Sequence, residues 1–206
     1  MTFFSWNQGR YRTHVDRLYR ALGEGMACAQ YIESGVYLAA LGAMGGEHEK
    51  CSARFFGFTG LGSRLRFTDE LLRRRLEAGA YSRRWRPLHD DLKGIVEFRN
   101  ALAHFEVYFI SDEQRTDCDP PTQFNVIVAD NHMNANVRIR PKTRCLSIEW
   151  IERNNEIIRK AAHVVFYFVV DHFRQEVFEG RGLLPLTEAQ LAGFRRGPRP
   201  PEFVFD

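Results

Sequence analysis

The sequence predicts an all-α fold: a four- to five-helix up-and-down bundle with a small β-hairpin insertion before the last long helix. Three observations lead there. Long stretches repeat apolar residues at three- and four-residue steps, the spacing that lines one face of an α-helix. The repeat gives way to β-prone runs only between about 110 and 146. Glycine and proline clusters fall at the ends of these stretches, where regular structure must stop. With 206 residues, the chain fits a single helical domain over 1–180, the insertion included, and a tail over 181–206.

The first long helix is expected from Thr13 to Ala43. Val15, Leu18, Leu22, Ala29, Ile32, Val36 and Ala39 mark its buried face. Gly23 and Gly25 weaken it locally but permit close approach of a neighbouring helix, and Gly45-Gly46 ends it. Residues 47–67 are rich in Gly and Phe and read as a loop or a short helix. Thr68 is a candidate N-cap for a short helix that Gly79 closes. After Pro87 a strong helix is expected from Leu88 to Phe109, on the spacing of Leu92, Ile95, Phe98, Leu102, Phe105 and Phe109.

The runs Phe124–Val128 and Val137–Arg140 then predict a hairpin with Asp130, Asn131 and Asn134 between its strands. Ser147 is placed to cap the last long helix, which runs to about Phe178 with Ile151, Ile158, Ala162, Val165, Val169 and Phe173 inside. Beyond Gly180 and Gly182, a short helix at Thr187–Ala192 precedes a Pro-rich end.

Composition narrows the function classes. The formal net charge is only +3, so the chain as a whole is not a polycation. Eight of its arginines, however, fall between Leu61 and His89 against three acids. Such a stretch is either a solvated helix with internal ion pairs or a surface for an anionic ligand. Cys28, Cys51, Cys118 and Cys145 show no metal-knuckle spacing, and they are too scattered for a disulfide framework. Reduced thiols in a cytoplasmic protein are expected. The N-terminus lacks the pattern of a signal peptide. The most apolar run, Val164–Val170, is too short to span a bilayer. No H-E-x-x-H, phosphate-binding glycine loop or nucleophile elbow occurs, and neither a metal nor a cofactor is expected.

The segment with chemistry in it is Glu97-Phe98-Arg99-Asn100-Ala101-Leu102-Ala103-His104. Asn100 and His104, four residues apart, share one side of a helix, with Arg99 next to them. A guanidinium holds two phosphate oxygens through its planar fork, and an imidazole exchanges a proton near neutral pH. The structural alternative is plain: Arg99 as a helix salt-bridge partner and His104 as a satisfied, half-buried histidine. On a helix continued to Phe109, Glu97 and Tyr108 would flank the same line. Glu33 and Glu24, on the polar side of the first helix, are candidates to support it, or ordinary solvated acids.

This segment resembles the HEPN family, whose motif is an Arg, a polar residue and a His four to six positions on. Arg99, Asn100 and His104 match it with R-x4-H spacing, and Ala103 before the His is typical of bacterial members. The resemblance covers about residues 13 to 178 and implies a helical bundle with the motif in a late helix, although the β-prone insertion departs from the simplest bundles. It also implies a metal-independent endoribonuclease working as a homodimer, with the two motifs facing each other. His104 would serve as acid or base, Arg99 would neutralise the phosphoryl charge and Asn100 would orient the phosphate or His104. RNA is then the partner, tracked by Arg73, Arg74, Arg75, Arg83, Arg84 and Arg86, with Phe55, Phe56 and Phe58 available to stack bases. Toxins of this family are often encoded beside an antitoxin, so such a regulatory partner is a further expectation. Other members bind nucleotide, RNA or a partner protein without cleaving.

Overall fold

The computed structural model describes residues 9–109, 126–130 and 145–179, and the backbone alone at 9–11, 104–109, 126–130, 145 and 179. Helices carry most of them, so the chain is all-α in class. The order is α1 (Gly9–Ala43), α2 (His48–Gly57), α3 (Leu61–Arg75), the single turn α4 (Ala78–Ala80), a π-helical turn (Tyr81–Trp85), α5 (Arg86–His104), β1 (Phe105–Phe109), β2 (Val126–Asp130), β3 (Cys145–Leu146), α6 (Ile148–Arg174) and a second π-helical turn (Gln175–Glu179). The expected Val137–Arg140 strand and the short helix at Thr187–Ala192 lie outside the described residues.

Two compact units divide the chain. One comprises the described residues up to Cys28 together with Glu97–Ile157, and the other comprises Ala29–Val96 and the residues from Ile158 onward. In the first unit, α1 carries Val15, Leu18 and Ala21 inward, α5 carries Phe98, Ala101 and Leu102, and α6 carries Ile148 and Ile151. Gly25 is the point of closest approach. A Cβ there would stand 2.6 Å from Asn155 Oδ1 and 2.7 Å from Leu102 Cδ1, so a side chain would force these groups apart. Buried Asn155 donates from Nδ2 to the Ala21 carbonyl at 2.8 Å. Arg17 grips Glu152 with two parallel bonds, Nε to Oε1 at 2.7 Å and Nη2 to Oε2 at 2.5 Å. The Ser147 cap forms as expected. Its Oγ accepts from the Trp150 N–H at 3.2 Å, and Glu149 adds a favourable charge to the first turn.

The second unit holds Ile32, Val36, Ala39, Phe55, Leu65, Leu72, Trp85, Leu92, Val165 and Val169 in its core. Helix α1 ends in a Schellman motif. Gly46 N–H reaches the Leu41 carbonyl and Gly45 N–H the Gly42 carbonyl, both at 3.0 Å. Both glycines have positive φ, 72° and 79°, which L side chains resist.

Helix α1 starts at Gly9, four residues before the expected Thr13, and α6 gives way to a π-helical turn after Arg174, short of Phe178. Three further features differ from the sequence reading. Residues 47–67 form α2 and the start of α3, because Cys51 and Phe55 repeat four apart and Leu61 and Leu65 begin a new buried stripe. Thr68 is no cap. It lies inside α3, fully buried, with its Oγ1 on the Arg64 carbonyl at 2.9 Å. Nor does α5 reach Phe109. It stops at His104, and Phe105–Phe109 pairs antiparallel with β2 from Phe105↔Asp130 to Phe109↔Val126. A Phe-Glu-Val-Tyr-Phe run suits a pleated surface as well as a helix face, and its apolar residues fit both periods. The insertion therefore begins at Phe105. Strand β2 also pairs with β3, through Val128↔Leu146 and Ala129↔Cys145, giving sheet order β1-β2-β3.

Candidate functional site

Arg99, Asn100 and His104 occupy the last two turns of α5. Their helix is fixed by its buried side. Phe98 packs its ring 5.3 Å from that of Trp150, and Leu102 meets α1 at Gly25. With Phe98, Ala101 and Leu102 turned inward, the 3.6-residue repeat leaves Glu97, Asn100 and Ala103 exposed and Arg99 half-buried.

Arg99 Nη1 donates to Asn100 Oδ1 at 3.3 Å, a long bond between neutral amide and cation. Among the described residues no carboxylate takes this guanidinium, so the salt-bridge role open to Arg99 is not filled there. Exposed Glu97, two positions earlier, is on the far side of the helix by 200° of rotation. His104 is the C-terminal residue of α5, one turn beyond Asn100 and on its side. Its side chain lies outside the described residues. Tyr108, expected one helical turn beyond His104, is instead in β1 opposite Ile127.

Of the other predicted residues, half-buried Glu24 belongs to the first unit, and Glu33 and the arginine stretch belong to the second. Glu33 is nearly buried, and its carboxylate is taken by Arg64. The Arg64 guanidinium also caps the Phe58 carbonyl at 3.2 Å and lies over the rings of Phe55 and Phe56, at 5.6 and 5.2 Å from their centroids.

The arginine stretch divides in two. Arg73 binds Asp69 at 3.1 Å and rests on the Tyr81 ring at 5.7 Å. Arg75 reaches Glu176 at 3.3 Å. Arg74, Arg83, Arg84 and Arg86 are exposed, and none of the four has a carboxylate partner among the described residues.

The sequence reading missed the centre that organises this stretch. Buried Asp69 accepts from Tyr81 Oη at 2.7 Å, Trp85 Nε1 at 2.9 Å and Arg73 Nη2 at 3.1 Å. The signal was available: Asp69 stands four after Leu65 and three before Leu72, on the buried stripe of α3. A carboxylate there needs donors, and the π-helical turn supplies two. Pro87 accounts for that turn. Without an N–H it cannot bond one turn back, and the ladder widens just before it. Trp85 in turn carries a line of rings, with His89 at 6.2 Å, Phe168 at 5.2 Å, and His172 4.8 Å beyond Phe168. Burial holds the His172 imidazole below its ordinary pKa; Asp171 opposes this, and the Arg84 charge adds to it.

Burial pushes the Cys51 thiol up to about 11, which makes it an inert core residue. Among the described residues no group of His, Cys, Asp and Glu is placed to hold a metal ion, and no helix is long and apolar enough to cross a membrane.

No protein-family model, curated protein or solved structure matches the chain.

Proposed function

We propose that the chain is a HEPN-type, metal-independent endoribonuclease, an up-and-down bundle whose two copies bring their R-x4-H segments together. The observation that carries this reading is the state of Arg99. It is a half-buried guanidinium on a well-packed helix, bonded only to a neighbouring amide and to no acid among the described residues. A cation kept in place without a counter-ion suits an anionic substrate group better than a structural role.

In this mechanism the imidazole of His104 removes the proton of a ribose 2′-hydroxyl. The 2′-oxygen attacks the adjacent phosphorus, and the P–O5′ bond breaks. The products are a 2′,3′-cyclic phosphate and a 5′-hydroxyl that takes up a proton. Arg99 lies against the phosphoryl oxygens as their charge grows, and Asn100, already bonded to Arg99, holds it toward them. One imidazole serves one oxygen at a time, so the second copy's His104 is the natural acid for the leaving group. Arg74, Arg83, Arg84 and Arg86 are the arginines free to follow the RNA backbone. Arg73 and Arg75 are withdrawn from that role by Asp69 and Glu176. An antitoxin-like partner covering the motif would be the means of control, and the cytoplasm the place of action.

The test is cleavage of a labelled RNA in excess EDTA. Wild type should cut, and His104→Ala should lose about 10²- to 10⁴-fold in rate with an unchanged helical circular-dichroism spectrum. Undiminished cutting by folded His104→Ala would overturn the mechanism. RNA that is bound but never cut would make the chain a binding module of the same family.

A further inference from the structure

From Lys50 to Thr68 the chain has four basic residues and no acid. Lys50 is paired with Glu47 and Arg64 with Glu33, which leaves Arg54 and Arg66 exposed and without a carboxylate among the described residues. In the same stretch, two phenylalanines face water. Phe56 is 53% exposed and Phe58 39%, while Phe55 between α2 and the core is fully buried.

The exposed rings are not loose. Phe56 is held by Tyr37 at 5.3 Å, by Phe55 edge-on at 5.2 Å and by the Arg64 guanidinium at 5.2 Å. Phe58 is held by Phe67 at 5.1 Å. Arg54 precedes Phe58 by four residues, and Arg66 adjoins Phe67. A Cβ added at Gly57 or Gly60 would meet nothing within 4 Å, so the space beside these two glycines is open among the described residues.

We infer that Phe56 and Phe58 form a stacking platform for the bases of a single-stranded nucleic acid, with Arg54 and Arg66 on its phosphates. Two features favour bases over a protein partner. Among the described residues of this unit, the exposed large apolar side chains are all aromatic: Tyr31, Phe56 and Phe58. A ring without an aliphatic surround offers a flat π surface and little of the apolar pocket that anchors a protein hot spot. The unpaired charges between Lys50 and Thr68, Arg54 and Arg66, are both cationic, which suits a phosphodiester backbone, and rings fixed in advance lose little entropy when a base lies on them. The platform lies in the second unit and does not depend on whether Arg99 and His104 cut RNA.

The experiment is fluorescence anisotropy of the full chain with a fluorescein-labelled oligo-U of twelve nucleotides and with a duplex of equal length. Phe56→Ala/Phe58→Ala is expected to weaken oligo-U binding about 10- to 100-fold while duplex binding changes little. Arg54→Gln/Arg66→Gln should lower the salt dependence of oligo-U binding. The same loss for Phe56→Ala/Phe58→Ala is expected in a His104→Ala background, where no RNA is cut, which separates this platform from the cleavage reading. Phe58→Trp should retain binding and add a quench on titration beyond that of the native tryptophans, a signal that only direct stacking gives. Wild-type affinity in the double alanine variant, or an equal loss for duplex, would overturn the proposal. So would dissociation of a dimer by that variant at matched concentration, since the rings would then join two copies of the chain.

Discussion

Arg73 and Arg99 present the same group from the side of a helix, Arg73 exposed and Arg99 half-buried, and the difference that matters is the partner each finds. Arg73 finds an inward-facing acid one turn earlier, Asp69, which is itself fixed by Trp85 and Tyr81. Arg99 finds only the amide of Asn100. Arg64 behaves as Arg73 does, closing on the nearly buried Glu33. Where a buried carboxylate needs a counter-charge, the arginine is part of the fold. Where none is present among the described residues, holding the arginine in place serves something outside the chain. Residue type and helix position are alike in the two cases, so the distinction rests on the partner.

The largest effects are expected from a pair of substitutions, at Arg99 and Arg64. Arg99→Ala should reduce RNA cleavage by about 10²- to 10³-fold, the size of losing one group that stabilises a transition-state charge. It should lower the urea midpoint only slightly, because the bond to Asn100 that it gives up is long and exposed, a loss of about 0.5–1.5 kcal/mol at most. Arg64→Ala should do the reverse, lowering stability while each folded molecule keeps its activity, since Glu33 would stay inside unpaired. A marked loss of stability in Arg99→Ala would erase the contrast.

A smaller effect is expected at the centre of the structural region. Asp69→Ala leaves the Trp85 N–H without its acceptor in a fully buried site, at a cost of about 1–3 kcal/mol. Urea titration followed by tryptophan emission would measure it. Asp69→Asn, which keeps the Oδ1 acceptor for Trp85 and Tyr81 and gives up the charge on Arg73, should cost less. Equal costs would mean that the ion pair to Arg73, exposed as it is, matters more than the donors from buried Trp85 and half-buried Tyr81.

How far the sequence alone leads is clear from particular residues. The buried face of α6 was largely legible, because Ile151, Ile158, Ala162, Val165, Val169 and Phe173 are all inside, although buried Asn155, Ala161 and Phe168 were not among them. On the buried face of α1 the reading failed only at Leu22, which is half-buried. The end of α5 was not legible: Phe105 and Phe109 satisfy both a helical step of four and a strand step of two, and pairing with β2 decides between them. Thr68 misled for a related reason. A capping residue before two acids is a start signal in isolation, but in the chain its hydroxyl bonds back to the Arg64 carbonyl within a helix already under way. As for the site, Arg99 and Asn100 were found from their spacing. The division of the arginine stretch was not, because it depends on Glu176, about a hundred residues away, and on a buried Asp69 that composition records merely as an acid.

The smallest effect tests whether a well-formed ion pair in the first unit is also structural. Arg17 and Glu152 meet through two bonds, yet their side chains are 40% and 38% exposed. The hydrogen bond from Arg17 comes first in holding the Glu152 carboxyl below its ordinary pKa, and the Arg17 charge adds to it against some burial. A depressed acid contributes stability above its unfolded pKa, about 4.3, and loses that contribution as the pH falls through the lower folded value. Solvent screening limits the pair to about 0.2–1 kcal/mol. Glu152→Gln should therefore lower the urea midpoint slightly at pH 7, and the gap from wild type should narrow on acidification below pH ~4. Addition of ~1 M salt should narrow it at neutral pH as well. A gap that persists at low pH would show that Glu152 acts through packing or its hydrogen bonds rather than its charge. The bidentate geometry would then fix how α1 meets α6 near Asn155 and Gly25, and the charge would be incidental to it.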